Sequence, residues 1–343
     1  MTDQPLSLFS PIALRSVTAR NRLWISPMCM YSVFAEDGIA TDWHLAHYGS
    51  RAVGGAGLII VEATAIEPRG RISSRDLGLW SDAQLPALAR IADFMAANGA
   101  VPAVQLAHAG RKATVPGAVG PSARAFSAAY ATPQAMDQSD IEQVILAFQQ
   151  AARRAAQAGF RAVELHAAHG YLLHQFLSPL SNQRDDRYGG DFDHRIRLTL
   201  EVAAAVRAVW PADLPLLVRI SATDWCDGGW DLEQSAELAR RLRGEGVDLI
   251  DVSSGGLTPA QQIQIGPGYQ IPFAQRIRQE SGLAVGAVGL ISQAQQADAI
   301  VRNGQADAVL IARQSLRDPY WPLRAARELG AELAVPTQYL RGW

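Results

Sequence analysis

The feature that most constrains the fold is a repeated alternation of short apolar segments with helix-like segments. Eight short segments are almost continuously hydrophobic, as expected for parallel strands that are buried on both faces. These predicted strands are residues 23–28, 58–63, 101–107, 162–167, 216–221, 249–254, 284–289 and 308–313.

Amphipathic stretches with helix start and stop signals lie between several of the predicted strands, at residues 81–99, 139–159, 232–246 and 291–304. The second begins with a capping-box-like pattern, Ser139 to Glu142, and ends at Gly159. Eight strand–helix units in 343 residues predict one (β/α)8 TIM barrel domain over residues 1–343. A doubly wound sheet is the alternative, but no G-x-G-x-x-G dinucleotide turn follows any predicted strand.

Two connections are unusually long for a compact barrel. Residues 108–138 are rich in Gly, Pro, Ser and Ala, and residues 178–195 are charged and turn-prone. Long loops of this kind more often bind ligands or cover a site than merely connect elements. The first loop contains Lys112, the only lysine among 31 basic residues. A genome that favours arginine codons explains this bias, and the sequence leaves the role of Lys112 open.

The composition limits the classes of partner and the cellular compartment that we expect for this protein. The net charge is −2 and 48% of residues are hydrophobic, without the basic excess of a nucleic-acid-binding protein. The N-terminal segment lacks the pattern of a secretory signal, and no apolar run is long enough to cross a bilayer. The two cysteines, Cys29 and Cys226, suit a reducing compartment. We therefore expect a cytoplasmic protein with no nucleic-acid or membrane partner.

Polar side chains interrupt the apolar pattern where the predicted strands end. Gln105 and His108 close the third strand, His166 and His169 the fourth, and Arg219 lies in the fifth. Barrel active sites lie at the C-terminal ends of the strands, and unpaired polar groups in an apolar interior are costly. The pattern therefore predicts a polar ligand at the mouth of the barrel.

The last two strands carry a possible phosphate site. Gly286 and Gly289 lie in the seventh strand, and Arg313 ends the eighth. Barrels often bind phosphate after these strands, and arginine forms bidentate bonds with phosphate oxygens. An equally good explanation is that the glycines serve tight turns while Arg313 makes a surface ion pair.

The segment ELHAAHGY places His166 and His169 three residues apart, with Tyr171 following. One interpretation of the pair is a metal site. Zinc proteases, however, place histidines four apart with a glutamate between them, whereas two alanines lie between these histidines. Two ordinary buried histidines are a second interpretation. The third is a pair of donors for a substrate oxygen, in the manner of an oxyanion hole, with Tyr171 supplying a proton.

Several motifs together resemble the old yellow enzyme family, and within it the branch of bacterial NADPH dehydrogenases, also called xenobiotic reductases or thermophilic-like ene-reductases. The resemblance runs from Leu8 to Trp343. Its motifs are SPMCMYS at 26–32, DWHLAHYGSRAVGGAGLIIVEATA at 42–65, QLAHAGRK at 105–112, ELHAAHGYLLHQFLSPLSNQRDDRYGG at 164–190 and QYLRGW at 338–343.

The resemblance implies a (β/α)8 ene-reductase with tightly bound, non-covalent FMN and NADPH as co-substrate. Residues matching family contacts to the flavin ring are Ser26, Pro27, Met28, Cys29, Ala63, Gln105 and Arg219. Residues matching the phosphate end are Gly289, Ala312 and Arg313, with Ala312 replacing the glycine of the relatives. The resemblance gives Cys29 a role in tuning the redox potential of the flavin, and gives Arg219 a role beside its N1/O2 side.

The resemblance also implies the chemistry. His166 and His169 match the pair that binds the substrate oxygen, Tyr171 the proton donor, and Tyr31 a second aromatic donor. Arg341 matches an arginine that reaches a neighbouring subunit's site, so the tail at about 330–343 is expected to contact that subunit in a homodimer or homotetramer. A ping-pong hydride transfer would reduce the C=C bond of α,β-unsaturated carbonyl or nitro compounds, and the implied small-molecule substrates are enones, enals, quinones and nitro compounds.

Two other functions use the same barrel. A metal-dependent hydrolase would need ligands that the sequence does not visibly supply. A phosphate-binding lyase or isomerase would use Gly286, Gly289 and Arg313 but leave the histidine pair without a role. His174 is predicted to be a packed or capping helix residue, and His44, His47 and Cys226 are predicted to be structural.

Overall fold

The computed structural model describes residues 6–343. Eight parallel strands form a closed barrel, in the order β6-β7-β8-β1-β2-β3-β4-β5 around its circumference. Their bounds are β1 Leu23–Ile25, β2 Leu58–Ala65, β3 Val101–Ala107, β4 Ala162–Ala167, β5 Leu216–Ser221, β6 Leu249–Ser253, β7 Ala284–Ala287 and β8 Ala308–Ile311. The predicted (β/α)8 barrel is confirmed.

The barrel closes between its first and last strands. Leu23, Trp24 and Ile25 of β1 pair in register with residues 309–311 of β8. Almost all strand residues are buried, because the strands face the barrel interior on one side and the helices on the other. This double burial accounts for the continuous apolar runs in the sequence.

The helices follow the strands in the expected alternation. Their bounds are α1 Asp42–Val53, α2 Leu85–Ala97, α3 Gln138–Gln157, α4 Leu172–Leu177, α5 Phe192–Arg207, α6 Leu232–Gly244, α7 Ile271–Ser281, α8 Ala294–Arg302, α9 Arg313–Arg317 and α10 Trp321–Glu328. Within residues 6–343, no helix is both long and apolar enough to cross a membrane.

The capping box predicted at the start of α3 is misplaced by two residues. Asp137 is the N-cap: its carboxylate accepts from the N–H of Asp140, and the Asp140 carboxylate accepts from the N–H of Asp137. Two aspartates thus form the reciprocal pair, because either carboxylate can accept a backbone N–H. Ser139 lies inside the first turn instead.

Three strands end two or three residues earlier than predicted: β1 ends at Ile25, β7 at Ala287 and β8 at Ile311. β6 ends one residue early, at Ser253. Pro27 has no N–H to extend the ladder, and Gly289 has a φ of 133°, which no strand uses. The missing strand residues form loops at the C-terminal end of the barrel, where ligands bind in this fold.

The long loops and the N-terminal region carry small extra elements. Residues 108–138 include a 3₁₀ turn, Gly110–Lys112, and a short parallel pair, Val119–Gly120 with Gln134–Ala135. A hairpin, Ile12–Leu14 with Val17–Ala19, precedes β1. Further 3₁₀ turns lie at Pro68–Gly70, Asp82–Gln84 and Thr337–Gly342.

Candidate active site

The histidine motif forms the end of β4 and a tight turn leading into α4. His166 lies in β4, in register with Arg219 of β5. His169 and Gly170 have left-handed backbone conformations, with φ of 58° and 73°. Tyr171 is the N-cap residue of α4. We call residues 168–171 the histidine turn.

The structure brings His166, His169 and Tyr171 together. The His166 and His169 ring centroids are 5.2 Å apart, and those of His166 and Tyr171 are 5.0 Å apart, both pairs meeting edge to face. His166 is therefore the centre of a compact group of two imidazoles and a phenol at the barrel mouth.

Both imidazoles are uncharged at neutral pH. Burial, followed by the nearby Arg219 charge, holds the pKa of His166 and of His169 well below the ordinary value. His166 Nδ1 accepts from the N–H of Ala168 at 3.3 Å, so Nε2 carries the ring proton. His169 Nε2 lies 2.7 Å from Ser253 Oγ, and when the serine donates, His169 Nδ1 carries the proton. Each ring can then offer one N–H to a ligand oxygen.

Buried polar side chains fix the backbone of the histidine turn. Ser221 Oγ accepts from the N–H of His169 at 2.9 Å, and His174 Nδ1 accepts from the N–H of Gly170 at 2.9 Å. Gln175 Nε2 donates to the carbonyl of Gly170 at 2.7 Å. A Cβ at Gly170 would lie 2.2 Å from the carbonyl oxygen of Gly256, so only glycine fits this close approach.

The remaining histidines support the site or the core. The Nε2 of His174 lies 2.9 Å from Asp224 Oδ1, and both side chains are fully buried, which agrees with the predicted structural role. His108 Nε2 lies 2.7 Å from Glu67 Oε1 and helps to shape the start of the long loop. His44 and His47 are buried in α1, as predicted. Within residues 6–343, no three His, Cys, Asp or Glu side chains gather in a way that could hold a metal ion.

The segment after β1 places a thiol and a second phenol near Tyr171. Burial and then Glu62 raise the pKa of Cys29, and burial and then Cys29 raise the pKa of both Tyr31 and Tyr171. Tyr31 is 42% exposed, with a left-handed φ of 51°. All three groups are therefore protonated at neutral pH, and both phenols can act as proton donors.

A row of polar side chains crosses neighbouring strands. Gln105 Nε2 donates to Glu164 Oε1 at 2.8 Å, and Arg219 Nε lies 3.0 Å from Asp251 Oδ2. Burial raises the pKa of both carboxyls, and Asp251 raises that of Glu164 further, while Arg219 opposes both shifts. Glu164 and Asp251 are not among the site residues predicted from the sequence, although acidic residues inside otherwise apolar strands are a visible signal.

The last strands enclose a cavity of about 390 Å³. Its lining includes all three residues predicted for a phosphate end, Gly289, Ala312 and Arg313, as well as Ser253 and Gln270. A Cβ at Gly289 would lie 3.0 Å from Gln270 Nε2, and its φ of 133° also favours glycine. The Arg313 side chain is exposed at the rim.

These residues fit FMN. The buried Ser26 Oγ has no hydrogen-bond partner in residues 6–343, so it is available to a ligand. The exposed Arg313 guanidinium can bind a phosphate, and Gln105 and Arg219 offer the polar groups that a flavin ring requires. β2 is irregular between Val61 and Thr64, which places Ala63 at a distortion of the kind often found beside active sites.

Arg341 is not brought to this site within one chain. It is exposed in the C-terminal 3₁₀ turn Thr337–Gly342. That turn packs through Tyr339 on Tyr320, with ring centroids 5.8 Å apart. Tyr339 also lines a surface groove with residues of α1 and α2.

Comparisons with known proteins agree with the geometry. Residues 7–332 match the NADH:flavin oxidoreductase / NADH oxidase family. The chain is 53% identical to an NADPH dehydrogenase of Geobacillus sp. (strain WCH70) over 337 residues, covering 98% of each chain. It is 50% identical to an NADPH dehydrogenase of Listeria innocua, covering 98% of this chain and 99% of the relative.

A solved structure gives the same result. Morphinone reductase superposes with a TM-score of 0.82 at 30% identity, covering 97% of this chain and 92% of that chain. The chain therefore belongs to the NADH:flavin oxidoreductase / NADH oxidase family, the old yellow enzyme family, and is an FMN-dependent oxidoreductase.

Proposed function

We propose that the protein is an NADPH-dependent ene-reductase. It reduces the C=C bond of α,β-unsaturated carbonyl or nitro compounds, taking its electrons from NADPH in a ping-pong order. The names of its relatives support NADPH as the donor. The observation that carries the proposal is the group of two uncharged imidazoles and one protonated phenol. The ring centroids of His169 and Tyr171 lie 5.2 Å and 5.0 Å from that of His166.

FMN would be held along two parts of the barrel mouth. Ser26, Pro27, Met28, Cys29, Ala63, Gln105 and Arg219 would contact the ring, and Gly289, Ala312 and Arg313 the phosphate. Bound FMN would supply hydride transfer, first from NADPH and then to the acceptor. The Arg219 charge favours an anionic ring, and Asp251 at 3.0 Å moderates that charge.

His166 and His169 bind the oxygen of the acceptor. Negative charge grows on this oxygen only as the β-carbon receives hydride, so two fixed N–H donors stabilise the transition state more than the bound substrate. Uncharged imidazoles suit this task because each can donate a hydrogen bond to the oxygen without transferring its proton. Tyr31 offers a further donor from the opposite loop.

Tyr171 delivers the proton to the α-carbon. Burial and Cys29 raise its pKa, so its hydroxyl carries a proton when the acceptor arrives. Hydride addition and this proton together saturate the C=C bond, and the phenol is reprotonated from solvent. The left-handed turn at His169 and Gly170 allows both the oxygen-binding and the proton-donating groups to come from one short segment.

The acceptors are flat molecules anchored by one oxygen. Enones, enals, quinones and nitro compounds share this shape and can stack over the same ring face that NADPH uses. One shared stacking site explains why the sequence has no dinucleotide-binding turn.

The assembly completes the site. We propose one FMN-binding domain over residues 1–343 in a cytoplasmic homodimer or homotetramer, with the tail at about 330–343 against a neighbouring subunit. Arg341 is exposed, so it is free to reach a substrate bound to that subunit.

Single-histidine variants of the FMN-loaded enzyme test the proposal. His166→Ala and His169→Ala should keep FMN but lose roughly 100-fold or more in 2-cyclohexenone reduction, as when an oxyanion-hole donor is removed. Both should also bind phenol more weakly, measured from the change in flavin absorbance. His194→Ala is the matched control, because this histidine is only partly buried, on α5.

Tyr171→Phe separates the two roles. It should slow enone reduction while phenol binding, which depends on the histidines, changes little. Normal enone reduction by both histidine variants would contradict the proposed function, as would a wild-type enzyme that oxidises NADPH but reduces no enone, maleimide or nitro compound.

A further inference from the structure

Lys112 lies beside the histidine turn although it belongs to a different βα-loop. It ends the 3₁₀ turn Gly110–Lys112, directly after β3. Its ammonium donates to the carbonyl of His169 at 2.8 Å and to the carbonyl of Gly256, in the loop after β6, at 3.1 Å. One side chain thus joins the loops of three strands.

Both acceptor carbonyls belong to residues with left-handed backbone. His169 has a φ of 58° and Gly256 a φ of 92°. At His169, which is not a glycine, this conformation is strained and persists only when the surrounding structure holds it, whereas Gly256 adopts it without steric cost. Hydrogen bonds with an ionised partner are roughly twice as strong as neutral ones. The ammonium therefore holds these two backbone carbonyls more strongly than a neutral donor would.

The same ammonium lies over two aromatic rings. It is 5.0 Å from the ring centroid of Tyr171 and 4.6 Å from that of Phe126. A cation at this distance stabilises a phenolate, so it lowers the cost of releasing the Tyr171 proton. Phe126, farther along the long loop, covers the ammonium on another side.

We propose that Lys112 is a positioning residue of the active site: it fixes the backbone of His169, and its charge favours proton release by Tyr171. This inference rests on the proposed function, because it assigns Lys112 to the step in which the acceptor oxygen is bound and the α-carbon is protonated.

The charge of Lys112 can change near physiological pH. Burial, and then the neighbouring Arg111, lower the pKa of Lys112 to about 8. The other ionisable groups that face it are His166, His169 and Tyr171; the pKa values of the two imidazoles lie well below the ordinary value and that of the phenol above it. Arg111, whose pKa is lowered to about 10, also keeps its charge at pH 8.

The test uses FMN-loaded wild type, Lys112→Met and Lys112→Arg. Arg124→Met is the matched control, because it removes an exposed cation from the same loop. Three quantities are measured from pH 6 to 9.5: the phenol dissociation constant, the rate of reduction by NADPH, and the rate at which 2-cyclohexenone reoxidises the reduced enzyme.

We expect Lys112→Met to slow reoxidation by roughly 10- to 100-fold, the loss that follows removal of a charged hydrogen bond, and to weaken phenol binding. Reduction by NADPH should change much less. The wild-type reoxidation rate should fall as pH rises through about 8, and this alkaline decline should be absent in Lys112→Arg, which stays charged. Arg124→Met should behave like wild type.

Wild-type behaviour of Lys112→Met would overturn the inference, and so would an equal slowing of both half-reactions or loss of FMN. If the methionine variant does not fold, the arginine variant decides: an unchanged alkaline decline overturns the inference. The proposed function fails separately, when both His166→Ala and His169→Ala are reoxidised by enone at the normal rate or wild type reduces no enone. In the latter case phenol binding still tests whether Lys112 positions His169.

Discussion

The two ends of the active site are built differently. At the proposed phosphate end, backbone at Gly289 and Ala312 lines a cavity of about 390 Å³, with the exposed Arg313 at its rim. At the histidine turn, strained backbone is fixed by buried side chains of β5 and α4 and by the partly buried Lys112 of the loop after β3. The first end needs an accessible shape and a positive charge, whereas the second needs atoms fixed in place. Substitutions at the two ends should therefore fail in different ways.

Gly170→Ala should produce the largest effect, because a Cβ would meet the Gly256 carbonyl oxygen at 2.2 Å and the residue has a φ of 73°. We expect enone reduction to fall by about 100-fold or more, as misplacement of catalytic groups by about 1 Å can do. FMN content, measured by absorbance, should be largely retained. A fully active variant would show that the turn tolerates movement and would break the comparison.

His174→Ala should lower the free energy of unfolding more clearly than it lowers enone reduction. It removes the imidazole beside the Asp224 carboxylate and leaves the buried Gly170 N–H without its acceptor. Loss of a buried hydrogen-bond partner destabilises by about 1–3 kcal/mol, which chemical unfolding of the holoenzyme would measure. His194→Ala, at a partly buried position, serves as the control. Equal stability of the two variants would mean that the His174–Asp224 pair does not support the turn.

Arg313→Ala should affect the other end alone. Losing a charged contact to phosphate should weaken FMN binding by roughly tenfold or more, measured by titrating the apoprotein with FMN. Turnover at saturating FMN should fall far less than affinity does. A large fall in turnover with unchanged affinity would mean that the two ends are not separable.

The smallest expected effect is that of Glu67→Gln on the stability of the folded protein in acid. Burial alone would raise the pKa of Glu67, but His108 and Arg69 lower it to about 2 from an ordinary value of 4.5. Because the folded-state value is depressed, this stabilisation is complete above pH 4.5 and is lost as pH falls towards about 2. Unfolding of Glu67→Gln should depend less on pH in that window; an identical pH dependence would exclude Glu67 as a contributor.

The barrel could be predicted because burial on both faces leaves a continuous apolar signature. Strands 101–107, 162–167 and 216–221 have the predicted bounds. The three early strand ends could not be predicted, because residues such as Val288 and Ala312 are apolar whether or not they pair. The capping box of α3 was misplaced because Ser, Asp and Glu all satisfy its pattern and only geometry distinguishes them.

The residues proposed to carry the chemistry could be recognised in the sequence, whereas the residues that support them could not. His166, His169 and Tyr171 adjoin one another in sequence, so the motif could reveal them. Ser253, Asp224 and Lys112 lie far from the motif or in other loops, and only the closed barrel brings them to it. Their contribution depends on contacts across loops, which no local pattern encodes.

The solitary lysine makes this active site observable in solution. Lys112 is the one lysine of the sequence. Isotope labelling of lysine therefore gives NMR signals from this side chain alone, which lies beside the proposed proton donor. Ligand exchange, loop motion and ionisation at the barrel mouth can be followed from that single resonance, without resonance assignment.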